Sequence, residues 1–383
     1  MSTSPPASRL AVDVEGDDTF TVSAHRVDTY RIHLAEGSTE DGLSSQLAAL
    51  AAQLGAPEIV IVIDTGAAEH HLGAVTAAVV GTGLPCRTVS VPAGESSKSP
   101  RGLKNLITAL RTHGVTRRTL LLGVGGGVVC DLVTAAASLY MRGVPYALVP
   151  TTVLAQVDAA IGGKGGVDFG AAKNLLGAFH HPAGVYLDPS LTATLPDRQI
   201  RAGLAEVIKV ALIANPSLFA TLEKSADPLP TGQAMTSIVR HAVEAKLLLL
   251  SPDPYEQKDL RRPLNLGHCI GHPYEAATGY RILHGEAVAA GIAVAAAHTF
   301  LTDESTTLED RDRILNLLAA YHLPTTIPDK LRDTVWEGMD TVRRIRNGPL
   351  HLVLPHRPGH CTITDDIDRP SYDKALNDLA ARP

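Results

Sequence analysis

Residues 119–140 read TLLLGVGGGVVCDLVTAAASLY: an apolar run, three glycines, then an Ala- and Val-rich segment. Strand, glycine turn and helix in that order open an α/β unit. Unpaired N–H groups and the helix dipole at such a helix start favour an anion. Gly125, Gly126 and Gly127 let the backbone approach a pyrophosphate. Their spacing is not GxGxxG, so the generic dinucleotide fingerprint does not apply. A plain tight turn is the competing reading.

The neighbouring segments repeat the same alternation. EIVIVID (58–64) is a continuous β-branched run, as in a parallel strand buried on both faces. FTVSAHRVDTYRIHL (20–34) alternates as a strand, and CRTVSVPAG (86–94) is another. SSQLAALAAQLG (44–55), AVTAAVVGTG (74–83) and SPRGLKNLITALRTHG (99–114) have helical spacing. Strands alternating with helices from about 58 to 150 predict a parallel sheet with crossover helices. After LPDRQIRAG (195–203) the segments 200–223, 233–250, 267–278, 284–302 and 308–321 are helical in period, and no strand is evident until LHLVLP (350–355). This predicts an α/β N-terminal domain over 19–190 and a mainly α-helical C-terminal domain over 191–383. Residues 1–18 read as a disordered tail.

At 383 residues and 45% hydrophobic, the chain can bury two cores. Its net charge of −6 and lack of a basic run speak against nucleic acid as a partner. Cys86, Cys130, Cys269 and Cys361 are scattered, which fits a reducing cytoplasm better than a disulfide framework. The N-terminus lacks the apolar core of a signal peptide, and polar residues interrupt every long apolar run, so no membrane partner is expected.

Polar residues in apolar surroundings mark a candidate site, because charges are costly to bury without partners. Asp64 ends EIVIVID, where a carboxylate can accept from ribose hydroxyls or simply cap a helix. Glu95 and Lys98 stand beside another strand end. Arg142, Asp158, Lys164, Lys173 and Asn174 fall within 140–182, otherwise rich in Gly, Ala, Val and Leu, and suit an anion. In NLGHCIGHPYEAATGYRILHGEA (265–287), His268 and His272 lie at i and i+4, with His284 following. Such a pair can offer two imidazoles to one ion, or be unrelated packing residues.

PTTVLAQVDAAIGGK (150–164), KNLLGAF (173–179), GLAEVIK (203–209), LNLGHCIGH (264–272) and LHGEAVAAG (283–291) together resemble the dehydroquinate synthase superfamily of sugar phosphate cyclases. The resemblance runs from about Asp64 to Gly291, with a weaker tail to about 360. It implies a Rossmann-like NAD-binding domain, a helical metal-binding domain and a homodimer. By it, Glu206, His268 and His284 match zinc (or cobalt) ligands. Asp64, Glu95, Lys98, Gly126, Gly127, Asp131, Thr151, Thr152, Lys173 and Thr194 match NAD contacts. Asp158, Lys164, Asn174, Lys209, Lys246, Arg261, Asn265 and His272 match substrate contacts, and Arg142 matches an arginine reaching the neighbouring subunit's phosphate. The implied chemistry is transient alcohol oxidation by NAD, phosphate elimination, reduction, ring opening and intramolecular aldol closure, without net redox change.

Two substrates are expected from the resemblance. Lys246 and Arg261 match residues that hold the carboxylate of 3-deoxy-arabino-heptulosonate 7-phosphate (DAHP), the leading expectation, since Arg and Lys are the natural partners of a carboxylate. Sedoheptulose 7-phosphate, which has no carboxylate, is the alternative. Relatives using it tend to carry Pro at the position of His272. Other departures favour that alternative. MDTVRRIRNGPL (339–350) places Val342, Arg343 and Arg344 where dehydroquinate synthases carry Asp-Lys-Lys, so Arg343 and Arg344 are expected at the phosphate. This stretch and FTVSAHRVDTYRIHL both resemble 2-epi-5-epi-valiolone synthases. Gly165 and Asp168 replace a usual Thr and Asn, and Pro254 reads as an insertion. A relative of the iron-type alcohol dehydrogenases is a further alternative, distinguished by net NADH formation without phosphate release.

Overall fold

The computed structural model describes residues 9–15, 19–25, 27–37, 41–170, 172–258, 261–365 and 367–382. Strands β1 (Arg9–Glu15) and β2 (Thr19–His25) form an antiparallel pair. The expected tail is therefore corrected at 9–15: RLAVDVE alternates, and β2 supplies the partner that lets it pair. Residues 1–8 and 16–18 lie outside the described residues. The one strand read over 20–34 is two, β2 and β3 (Arg31–Leu34).

The main sheet adds β4 (Ile59–Asp64), β5 (Cys86–Val91), β6 (Leu120–Gly125), β7 (Tyr146–Pro150) and, after an antiparallel hairpin of β8 (Lys164–Phe169) and β9 (Ala172–Phe179), β10 (Gly184–Leu187). Its order is β3-β10-β7-β6-β4-β5, paired in parallel throughout. The β-branched run behaves as expected: Ile59 to Ile63 are fully buried. Helices α1 (Asp41–Leu54) and α2 (Thr65–Gly81) share one core with the sheet, while α3 (Pro100–Thr112) and α4 (Gly127–Leu139) share another with the helical half. The chain steps from β4 outward to β5, then returns to place β6 on β4's other side. Such a reversal opens a crevice at the strands' carboxyl ends, where ligands of α/β sheets bind.

Helices dominate from residue 189 on: α5 (Asp197–Ala214), α6 (Pro216–Leu222), α7 (Gly232–Leu250), α8 (His268–Ala277), α9 (His284–Thr302), α10 (Leu308–Ala320) and α11 (Arg332–Arg346). A hairpin of β11 (Leu352–Arg357) and β12 (His360–Thr364), then α12 (Arg369–Ala380), complete the fold. Helix α9 has the length and hydropathy to cross a bilayer, yet its apolar window is 78% buried among α5, α8, α10 and α12. It is the core helix of this half, which explains why it is apolar all round.

Three helices meet with almost no side chain between them. A Cβ on Gly285 would stand 1.7 Å from Ala202 O on α5, and one on Gly291 would stand 2.0 Å from Gly267 O. These contacts set the N-terminus of α9 against α5 and α8. Gly285→Ala should therefore destabilise by roughly 1–3 kcal/mol, the usual cost of overpacking. Gly73→Ala, in α2 with nothing within 4 Å of its Cβ, should leave stability unchanged or raise it by up to about 1 kcal/mol. Urea unfolding of both variants checks this; equal effects would contradict the close approach.

Candidate active site

The close-packed helices bring Glu206 of α5, His268 and His272 of α8, and His284 at the start of α9 together. One ring nitrogen from each of the three histidines lies within 4.8 Å of the others. Glu206 Oε1 is 3.7 Å from His268 Nε2 and 3.4 Å from His284 Nε2. Glu206 is 1% exposed, and neither carboxylate oxygen receives a well-directed hydrogen bond, although Lys209 Nζ stands 2.5 Å from Oε2. A buried carboxylate oxygen facing two imidazoles fits a cation between them.

The outer partners support this. His268 Nδ1 is 3.1 Å from Leu266 O, and His284 Nδ1 is 3.0 Å from Glu275 Oε2. Each acceptor holds the proton on Nδ1 and leaves Nε2 for a metal ion, the usual arrangement around metal-binding histidines. Three protein ligands with open positions describe a catalytic rather than a structural centre. Glu275 was not singled out from sequence, although 268, 272 and 275 share one face of α8 and that spacing was readable.

Electrostatics divides these groups. Burial would raise Glu206, but Lys209 and the histidines hold it well below the carboxylate range. Burial and Lys209 push His268 down to about 4. Burial and the neighbouring imidazoles hold His272 well below the usual imidazole range. Burial also presses on His284, but Glu206 and Glu275 more than reverse it, raising it to about 9.

Beside the histidines lies a lysine–carboxylate array. Lys246 Nζ is 2.6 Å from Asp158 Oδ1. Burial lowers Lys246, while the two lysines beside Asp158 overcome its own burial and hold it below the carboxylate range. Lys173 Nζ bridges Glu95 at 2.8 Å and Glu275 at 2.7 Å. Lys98 Nζ is 2.5 Å from Asp131. Asp168 Oδ1 accepts from the Asn174 amide at 2.9 Å, so the replaced residue positions Asn174. Lys164 pairs with Glu256, which also pairs with Arg262. Asn265 ends the turn leading into Leu266 and His268.

A second group lines the sheet crevice. Asp64 caps α2, its Oδ1 accepting from Gly66 and Ala67 amides at 2.9 Å, so the capping alternative is realised. Its Oδ2 faces Gly125, where a Cβ would come within 2.6 Å. Gly126 and Gly127 begin α4 against Thr152 and Leu154, with Cβ positions 3.2 and 3.3 Å from those side chains. Thr151 N donates to Gly125 O at 2.9 Å, and Thr194 meets His71 at 3.2 Å. This narrow cradle at a helix N-terminus fits the pyrophosphate of a dinucleotide.

Four expected residues stand elsewhere. Arg343 is corrected: it stacks on Trp336, 4.7 Å to the centroid, pairs with Asp340 and donates to Ile367 O at 2.9 Å. With Trp336, Asp340 and Ile367 it lines a cavity shared with His298, almost four helical turns along α9 from His284 or roughly 20 Å by helical rise. Arg344 is exposed and donates to Thr341 Oγ1 at 3.0 Å. The helical phase of α11 sends Arg343 to Trp336 rather than to the histidines. Arg142 lines a cavity of about 390 Å³ with Arg117, His180 and His181, apart from the histidine cluster. Arg261, half exposed, pairs with Asp365.

Because His284 alone among these histidines titrates above neutrality, zinc binding near pH 7.5 should release about one proton per ion. His268 and His272, already neutral, should add none. The His284 share of the release should vanish above about pH 10, once His284 deprotonates unaided, while ionisation of a zinc-bound water adds its own proton separately. Calorimetry in buffers of differing ionisation enthalpy reads the number, and no release near pH 7.5 would contradict the assignment.

Comparison with known proteins matches this geometry to sequence. The family models described as 3-dehydroquinate synthase N-terminal and C-terminal match residues 88–202 and 203–343. A 2-epi-valiolone synthase of Stigmatella aurantiaca is 45% identical over 98% of this chain and 95% of its own. A 3-dehydroquinate synthase of Symbiobacterium thermophilum is 39% identical over 84% of this chain and 92% of its own. The solved 2-epi-5-epi-valiolone synthase of Streptomyces hygroscopicus subsp. jinggangensis 5008, with NAD+ and Zn2+ bound, superposes with a TM-score of 0.87 at 30% identity, covering 95% of this chain and all of that one. The two-domain architecture, the sequence motifs and the matched models agree, and the chain belongs to the 3-dehydroquinate synthase family of sugar phosphate cyclases.

Proposed function

We propose that this enzyme cyclises sedoheptulose 7-phosphate to a valiolone-type cyclitol, with loss of phosphate. The observation that carries this reading is the 45% identity to a 2-epi-valiolone synthase along 98% of the chain, above the 39% to a 3-dehydroquinate synthase. It reverses the order of the two expected substrates. Lys246 and Arg261 had favoured the carboxylate of DAHP, but both cations already face carboxylates of this chain, Asp158 and Asp365. His272 stands where relatives using sedoheptulose 7-phosphate tend to carry Pro, a point still in favour of DAHP.

NAD and a zinc or cobalt ion, when bound, supply transient oxidation of a secondary alcohol and polarisation of its oxygen. The residues that would hold the metal are Glu206, His268 and His284. Asp64, Gly126, Gly127, Thr151, Thr152 and Thr194 would hold NAD, with Glu95, Lys98, Asp131 and Lys173 fixing the wall beside it. Lys209 and the Asp158–Lys246 pair orient the substrate hydroxyls. His272, held neutral by burial, would offer the substrate a hydrogen bond rather than a charge. Lys164 and Asn174 suit the leaving phosphate, whose own oxygens can take the proton lost during elimination.

The enzyme is also proposed to be a cytoplasmic homodimer. Exposed apolar side chains occur along the β8–β9 hairpin, at Phe169, Leu175, Leu176 and Phe179, and at Leu139 and Met141 beside Arg142. Exposed apolar surface of this kind is suited to a partner subunit. Sedimentation velocity should show a dimer, and Leu176→Glu should shift it toward monomer; an unchanged dimer would move the interface elsewhere.

With NAD and zinc or cobalt, sedoheptulose 7-phosphate should release phosphate and DAHP little or none. No NADH should accumulate. His268→Ala should abolish both metal retention and turnover. Phosphate release from DAHP alone would overturn the substrate assignment, and stoichiometric NADH would point to an alcohol dehydrogenase.

A further inference from the structure

Glu275, near the end of α8, is 3% exposed with both carboxylate oxygens engaged. Oε2 accepts from His284 Nδ1 at 3.0 Å, and Nε2 of that ring stands 3.4 Å from Glu206. Oε1 accepts from Lys173 Nζ at 2.7 Å. Lys173 also reaches Glu95 at 2.8 Å, and its side chain is only 8% exposed, so bulk water competes little for its protons. Tyr280, in the turn after α8, lies over the same ammonium, 5.2 Å from ring centroid to Nζ, and its backbone N donates to Glu275 O at 3.0 Å. Glu95 carries this run of contacts to the sheet crevice. It follows β5, whose Val91 pairs in register with Asp64. Between them, Ala93 N donates to Thr65 Oγ1 at 3.1 Å, at the start of the helix that Asp64 caps.

We propose that Glu275 is a positioning residue that links occupancy of the metal centre to occupancy of the dinucleotide crevice. This rests on the reading above of Glu206, His268 and His284 as metal ligands and of the crevice as the NAD site. A cation on His284 Nε2 polarises the ring and strengthens the bond from Nδ1–H to Glu275. That fixes one oxygen of a rigid, planar group and therefore the other. The second oxygen holds Lys173, and Lys173 holds Glu95 at the crevice. Each ordering step taken for the metal is one that NAD+ no longer has to bring about, so each ligand binds more tightly when the other is present. The path is short, contiguous and largely buried, which keeps salt from screening it. Glu275 touches neither ligand and acts only through His284 and Lys173.

The test measures binding and not turnover. Calorimetry gives the Kd of NAD+ for the full chain stripped of metal and loaded with zinc; chelator competition gives the Kd of zinc with and without NAD+. Wild type should show NAD+ binding about tenfold tighter with zinc, and zinc tighter with NAD+ by the same factor, since such coupling is reciprocal. Glu275→Gln can still accept from His284 but then turns an amide donor toward Lys173. It should weaken zinc by about tenfold and bring the coupling factor to about one. Lys173→Met breaks the link from the other side: zinc should be retained and the factor should again be about one. A purely structural role would lower affinities and leave the factor unchanged. A wild-type factor of one, or a factor that survives in either variant, overturns the inference. Wild type that fails to bind zinc or NAD+ at all overturns the reading of the site instead, before any variant is made.

Discussion

The site depends on one costly placement, the carboxylate of Glu206 in a position only 1% exposed. A charge taken so far from water must be answered by opposite charge. Lys209, one turn further along α5, answers one oxygen. The other faces the imidazoles of His268 and His284, from two different helices. Meeting that demand fixes how α5, α8 and α9 must stand. It explains why α9 is apolar all round, why the helices touch through glycine, and why Glu275 waits behind His284.

Around this centre the positive charges are individually matched. Lys209, Lys246, Lys173 and Lys98 each have a carboxylate of this chain within 2.8 Å. The cavity is thus densely charged without being strongly basic. On the proposed reading, a phosphorylated sugar would bind here by exchanging partners rather than by falling into a positive well, and each lysine would have its own acid to return to once the phosphate is cleaved. Glu275 contacts both a metal-side histidine and Lys173, so the helical half and the β9 strand of the α/β half are joined through one carboxylate.

Much of this was legible in the sequence, and the exceptions have physical reasons. Buried parallel strands announce themselves as unbroken β-branched runs, as in EIVIVID, and the glycine turn at 125–127 marked the crevice. The clustering of Glu206 with His268, His272 and His284 followed from motif resemblance, and the i, i+4 spacing alone left it open. The β8–β9 hairpin was not read as strands because β9 is largely exposed and glycines interrupt both strands, leaving no clean alternation. Strand β1 was hidden because its pairing depends on a partner outside the segment. Arg343 carried the right charge for a phosphate, but the phase of α11 turns it to Trp336. The Arg261–Asp365 pair had no local signal: it spans 104 residues of sequence.

The backbone contacts at Gly285 and Gly291 bear on how such an enzyme can change over time. Where two helices touch through a hydrogen atom, every side chain is too large, and substitution there is nearly all-or-none. Drift is thereby steered away from the metal-bearing helices and into segments outside those close contacts, such as 251–258 and the turn after β12. A scaffold built this way holds its reaction type constant while its choice of sugar stays free to wander, which is how one chemistry comes to be shared among enzymes with different products.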